Sequence, residues 1–214
     1  MIIDFLQTGR QPNPTFEGRS NNVIIFKGVG MTQSSLAYVE IESMSFQLST
    51  SIHREKINGR TATQVTDVLS EGARIGYIFP DVFVQKKILF LSVGYDYFEY
   101  KFLDKTYIAY EIGLGPNEHY ICIYNSDNTV AIIHKNDIKK NYRDAYTIFL
   151  SDQSDLMAIS VFAMYFDCIR YPDHGKITGE SYVDDSYLTV QKELNEKYDP
   201  TFIPRIKAME RNSQ

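Results

Sequence analysis

Along most of this chain apolar and polar residues follow one another in short runs of strand length, and one segment departs from that pattern. Leu156 to Ile169 is apolar on nearly every side, with Ser160 and Asp167 as its polar interruptions. A surface helix carries one apolar stripe, whereas a helix apolar all round is buried on all sides. Fourteen residues make about 21 Å of helix, short of the roughly 20 residues that cross a bilayer. The segment predicts a core helix over 154–170. Sheet has to enclose it, and within one domain that means a barrel around a helix.

The rest of the pattern supplies strands. Val23-Ile24-Ile25-Phe26 is a short apolar run closed by Gly28-Val29-Gly30, read as a turn or bulge. Tyr38 to Leu48 alternates imperfectly and reads as one strand. Asn58-Gly59 is a strong turn dipeptide. Thr61 to Leu69 is ambiguous, and Gly72 to Phe79 leads up to Pro80. Ile88 to Val93, Tyr95 to Leu103 and Thr106 to Leu114 are three further strands, the last two joined tightly at Asp104-Lys105. Tyr120–Tyr124 and Thr129–His134 flank the turn cluster Asn125 to Asn128, and Ala145–Leu150 is the final strand. Ser151 to Asp155 then offer Ser and Asp caps to the core helix, which Pro172 ends.

Three parts are expected: an N-terminal arm over 1–20, interrupted by Pro12 and Pro14; the barrel with its helix over 21–172; and a polar linker with a helical appendage over 173–214. In the appendage Tyr187, Val190 and Leu194 fall at i, i+3 and i+7, predicting an amphipathic helix from Ser186 to Tyr198. Ile203, Ile206 and Met209 predict a last turn or two.

Composition agrees with a sheet-rich fold. Hydrophobic residues are 43% of the 214, and sixteen Tyr and thirteen Phe with no Trp favour strands. The net charge of −5 excludes the global basic field a non-specific nucleic-acid binder needs. The first residues carry an acid early and no basic stretch before a long apolar one, so a signal peptide is not expected. With no spanning helix expected either, the reading is a cytoplasmic protein.

Motifs that carry chemistry are missing. His53, His119, His134 and His174 share no metal-ligand spacing, and there is no Cys-x-x-Cys. No Gly-x-Ser-x-Gly elbow occurs. Cys122 and Cys168 sit in apolar stretches and read as buried, reduced thiols. Glu180, Asp184 and Asp185 lack the spacing of a calcium loop, and a helix start accounts for the two aspartates. Asp167 and Arg170 at i and i+3 read as a local pair or a backbone-bonded carboxylate. No cofactor and no enzymatic activity are expected.

The pieces Lys101-Phe-Leu-Asp-Lys-Thr-Tyr-Ile-Ala-Tyr-Glu-Ile, Thr129-Val-Ala-Ile-Ile-His-Lys and Tyr142-Arg-Asp-Ala-Tyr-Thr-Ile-Phe-Leu, followed by the helix from Asp155 to Asp167, resemble the C-terminal half of the tubby C-terminal-like superfamily. That superfamily also holds the phospholipid scramblases and the LURP-one-related proteins. The resemblance is one of pattern and is strongest over 88–171. It implies a mainly β fold, a closed antiparallel barrel of about twelve strands threaded by the hydrophobic helix. Twelve strands of about six residues take about 70 residues, which fits between 20 and 150. Closure also removes exposed sheet edges.

The resemblance further implies a non-enzymatic binding module that takes anionic lipid head groups, through basic residues projecting from the barrel, or a protein partner. Arg54-Glu55-Lys56 with Arg60 is the first candidate patch, since i and i+2 share a strand face, and Lys86-Lys87 is the second. An ordinary solvated hairpin is the plainer reading of both. The acidic balance weighs against an anionic membrane. The alternative is a small acidic inhibitor, an immunity or anti-defence protein that blocks a protein target by electrostatic steering.

Overall fold

The structure is a computed structural model and describes residues 1–9, 13–31, 36–52, 54–88, 91–115, 118–139, 143–170 and 191–212. The strands are β1 (Ile2–Gln7), β2 (Thr15–Ser20), β3 (Val23–Met31), β4 (Leu36–Ile41), β5 (Met44–Ser51), β6 (Glu55–Ile57), β7 (Arg60–Ala62), β8 (Val65–Ser70), β9 (Ala73–Ile88), β10 (Leu91–Phe102), β11 (Lys105–Gly113), β12 (His119–Asn125), β13 (Asn128–Lys139) and β14 (Arg143–Leu150). A 3-10 turn at Gln153–Asp155 leads into α1 (Leu156–Tyr165), which continues as a π turn over Phe166–Arg170. α2 (Lys192–Asn195) and α3 (Phe202–Arg211) follow.

Twelve strands close into one antiparallel barrel in the order β1-β14-β13-β12-β11-β10-β9-β8-β5-β4-β3-β2, and β6-β7 is a separate hairpin. The chain is a meander that closes where β1 pairs with β14, from Ile2 opposite Phe149 to Leu6 opposite Ala145. α1 runs inside. Ala158 through Tyr165 are all buried, and the helix meets the wall on many sides. Phe162, Tyr165 and Phe166 pack edge-on to Phe98 of β10. On the opposite wall Gly28 and Gly30 of β3 give the helix room: a Cβ at Gly28 would run into the Met164 thioether, and one at Gly30 would lie 2.7 Å from Cys168 Sγ.

Five connections, β2–β3, β4–β5, β8–β9, β10–β11 and β12–β13, are two-residue turns at the end of the barrel where α1 begins. Their left-handed residues are Asn21, Asn22, Glu42, Glu71, Gly72, Leu103 and Ser126. Primed turns suit the strand twist and require positive φ. The Asn58-Gly59 turn of β6–β7 has φ of 50° and 80° and is of this kind.

The closed barrel and its central helix are as the sequence predicts, and several boundaries are not. The 1–20 arm is two barrel strands: β1 alternates buried Ile3, Phe5 and Gln7 with outward residues, and β2 pairs with it. Tyr38–Leu48 is a hairpin, turning at Glu42-Ser43. The Gly28-Val29-Gly30 run lies inside β3 in regular register and is neither a turn nor a bulge. β9 continues through Pro80 to Ile88, so Ile88–Val93 is divided between β9 and β10. Proline is tolerated there because the ladder between β8 and β9 ends at Ile78.

Of the predicted helix Ser186–Tyr198, the span 186–190 and the preceding linker lie outside the described residues; α2 covers Lys192–Asn195. The C-terminal segment packs on the barrel. Leu194, Phe202 and Ile206 form one buried cluster with Ile112, Cys122, Ile132 and Phe149 on the outer face. Tyr124 Oη donates to the Lys197 carbonyl at 2.6 Å.

Candidate functional site

The β6–β7 hairpin carries the first predicted patch. Ile57 and Ala62 turn inward and form a small core with Val65 and Phe79. That anchors the hairpin on the outer wall and carries Arg60 onto polar side chains of β9 and β10. Arg60 Nη1 meets Asp81 Oδ2 at 2.5 Å and the Tyr97 hydroxyl, and Nη2 meets Glu99 Oε2 at 2.5 Å. Glu99 is 4% exposed and also accepts from Asn58 Nδ2 at 2.7 Å. Burial works against the Asp81 carboxylate, but the Tyr97 hydroxyl, the Val82 amide and Arg60 outweigh it and hold its pKa below the usual value. Burial and then Asp81 push the Tyr97 hydroxyl up to about 12.

Arg60 is thus a clamp with its charge neutralised, which the sequence reading of a free cation did not foresee. Arg54 and Lys56 are exposed, while Glu55 between them pairs with Arg74 at 2.8 Å. Lys86 and Lys87 lie on β9 opposite Val93 and Ser92, and their side chains lie outside the described residues. Arg54, Lys56 and Arg60 lie at and just before the hairpin and are all exposed, and Arg60 is held by acids.

Sequence reasoning singled out Asp167 as a local pair with Arg170 or a backbone-bonded carboxylate, but not its tyrosine partner, and it missed the other polar groups that face into the barrel. Asp155 Oδ1 accepts from Tyr107 Oη and from Lys105 Nζ, both at 2.7 Å. Asp167 Oδ2 accepts from Tyr146 Oη at 2.7 Å. Glu111 and His119 Nε2 lie 2.9 Å apart, and the His119 ring packs against Phe166. A buried carboxylate needs partners of this kind. Desolvation, and then the carboxylate, raises the Tyr107 and Tyr146 hydroxyls well above the ordinary phenol value. The signal available in the sequence was the Asp at each end of an otherwise apolar helix.

The two cysteines are buried and free, and desolvation raises both thiols above the usual value. His53 and His174 lie outside the described residues, and His134 stacks on Tyr120. Among the described residues no group of His, Cys, Asp and Glu is arranged to hold a metal ion, and no helix is long and apolar enough to cross a membrane.

The described residues also form a concave surface. At the end of the barrel where α1 begins, a cleft of about 800 Å³ opens between β3, β4 and the helix start. Ile24, Ile25, Phe26, Leu156 and Met157 give it apolar walls, and Lys27, Glu40 and Glu42 stand on the β3–β4 side. No family model, no curated protein and no solved structure matches this chain.

Proposed function

We propose that this chain is a non-enzymatic binding module that engages a protein partner through its outer surface. The observation that carries the reading is the occupied lumen. A barrel of this size is where ligands or reacting groups are commonly enclosed, and here α1 and its aromatic neighbours fill that space. Recognition then falls to the rim and the outer wall. The likeness to the tubby C-terminal-like superfamily enters through architecture alone, a twelve-stranded barrel around a helix.

A protein partner is favoured over an anionic lipid by the state of the basic patch. Arg60 is engaged by Asp81 and Glu99, which leaves Arg54 and Lys56 in the first patch. Each cation near an anionic surface contributes about 1 kcal/mol, so the two left in this patch add little against a net charge of −5. Flotation with phosphatidylcholine vesicles containing one fifth phosphatidylserine tests this at low salt. The chain is expected to stay at the bottom of the gradient. Flotation that disappears in an Arg54→Ala/Lys56→Ala variant would replace the protein partner by a lipid head group.

A further inference from the structure

The rim cleft has a chemistry of its own, and its occupant can be narrowed within the binding-module reading, on which this inference rests. Its volume of about 800 Å³ lies within the range of cavities that take specific ligands, roughly 300–1,000 Å³. Its apolar wall extends into exposed apolar residues of the adjoining turns, with Val23 64%, Ile24 39% and Met44 39% exposed. Two of these lie within the first two residues of β3 and the third begins β5, so all belong to the same rim. Exposed apolar residues next to a concave apolar surface mark a contact site more often than singly scattered ones do.

Charge supplies the second argument. Glu40 and Glu42 line the cleft. Both are exposed, and neither has a hydrogen-bonding or ion-pairing partner among the described residues. The two-residue turns place Glu71, Asp104 and Asp127 at the same end, and Asp152 precedes the helix there, all exposed. The cations nearby are mostly engaged: Lys105 by Asp155, and Arg74 by Glu55 and Asp67. Lys27 is a cationic side chain on the lining, cross-strand from Glu40, and the Met1 amino group, also on the lining, is held by the Leu150 carbonyl and Glu210. The rim is therefore an apolar concavity under a negative field. Such a field repels anionic lipid and nucleic acid and attracts a cationic partner.

We propose that this cleft receives a short segment of a partner protein that presents apolar side chains beside Lys or Arg. The apolar groups fill the space between β3 and the start of α1, and the cations meet Glu40 and Glu42.

The test uses the full chain as bait for a displayed library of random twelve-residue peptides. A selected peptide is then synthesised with a fluorescent label, and its binding is followed by anisotropy. Enriched peptides are expected to combine apolar residues with Lys or Arg. Reversal of both acids, Glu40→Lys/Glu42→Lys, is expected to weaken binding by about tenfold or more, since each exposed pair contributes up to about 1 kcal/mol and reversal adds repulsion. Ile24→Glu is expected to weaken it similarly, and circular dichroism of both variants to match the parent. Arg54→Ala/Lys56→Ala, on the β6–β7 hairpin, is expected to change nothing. Peptides that are acidic or uncharged, or binding indifferent to both cleft variants, would overturn the cleft proposal while leaving the module a peptide binder. Failure to enrich any peptide would overturn it too, and flotation of the same preparation on anionic vesicles would then remove the protein-partner reading as well.

Discussion

Tyr146 of β14 donates its hydroxyl hydrogen to Asp167 at 2.7 Å inside the barrel, with the phenol 3% and the carboxylate residue 4% exposed. The bond joins the last strand to the π turn that ends the central helix. Hydrogen bonds to charged groups stabilise by about 1.5–3 kcal/mol, and a buried carboxylate that loses a donor is left with its desolvation penalty. Tyr146→Phe keeps the ring contact with Phe5 and deletes that bond. We expect it to lower stability by about 1–3 kcal/mol, read as a fall in the urea midpoint with an unchanged slope. A midpoint equal to the parent's would mean that the bond does not secure the helix.

Arg60 and the other cations of its hairpin make opposite predictions. Arg60→Ala leaves Glu99, which is nearly buried, with Asn58 and a longer contact to Tyr77 at 3.4 Å. Breaking a buried or half-buried charge pair by removing one partner is strongly destabilising; with Arg60 itself 44% exposed, we expect about 1–2 kcal/mol. Arg54→Ala and Lys56→Ala remove exposed side chains and are expected to stay within about 0.5 kcal/mol of the parent. Thermal denaturation of the three variants side by side checks the ranking. Equal effects would remove the distinction between clamp and surface charge.

The helix was legible because its signal is local: a run apolar on nearly every side and too short for a bilayer has one solution. The strands from Thr106 onward were legible for the same reason, each bounded by turn residues. The first half was harder because its decisive contacts are distant in sequence. Nothing near Ile2–Gln7 announces that its partner is β14, some 140 residues away. The Glu42-Ser43 turn carries no Gly, Pro or Asn, so Tyr38–Leu48 reads as one strand, although Glu42 adopts φ of 56°. Arg60 was visible as a cation, but Asp81 and Glu99 come to it only through the barrel register. The rim cleft left one faint trace, the apolar Val23-Ile24 directly after an Asn-Asn turn.

Glycines packed against side chain and against backbone respond differently to substitution. A Cβ at Gly28 meets the flexible Met164 side chain, which can move aside, whereas one at Gly76 presses on the Lys101 carbonyl oxygen of the neighbouring strand. Overpacking costs about 1–3 kcal/mol when neighbours can shift and more when they cannot. Gly76→Ala is expected to destabilise by about 3 kcal/mol or more, and Gly28→Ala by clearly less. Urea unfolding of the pair is the measurement, and the reverse order would contradict the packing of β9 against β10.

Alkaline unfolding follows from the phenols. Tyr97 is raised to about 12 by burial and Asp81. Burial, and secondarily their neighbours, also raises Tyr100, Tyr107 and Tyr146 well above the ordinary phenol value. A group whose folded pKa lies above its unfolded value, about 10 for tyrosine, contributes stability that is fully present below pH 10. That stability is lost as pH rises through the folded value. The window for Tyr97 therefore runs from about pH 10 to about 12, and the fully buried phenols extend it upward. Titration of the sixteen tyrosines by absorbance at 295 nm is expected to show two stages. The phenols open to water ionise first with circular dichroism unchanged, and Tyr100, Tyr107 and Tyr146 ionise together with the loss of β signal. In Tyr97→Phe the part of the stability loss between pH 10 and 12 that belongs to this residue is expected to vanish. A single titration of all sixteen near pH 10 with the β signal intact would show that Tyr100, Tyr107 and Tyr146 are open to solvent and that the aromatic lining of the barrel is not closed.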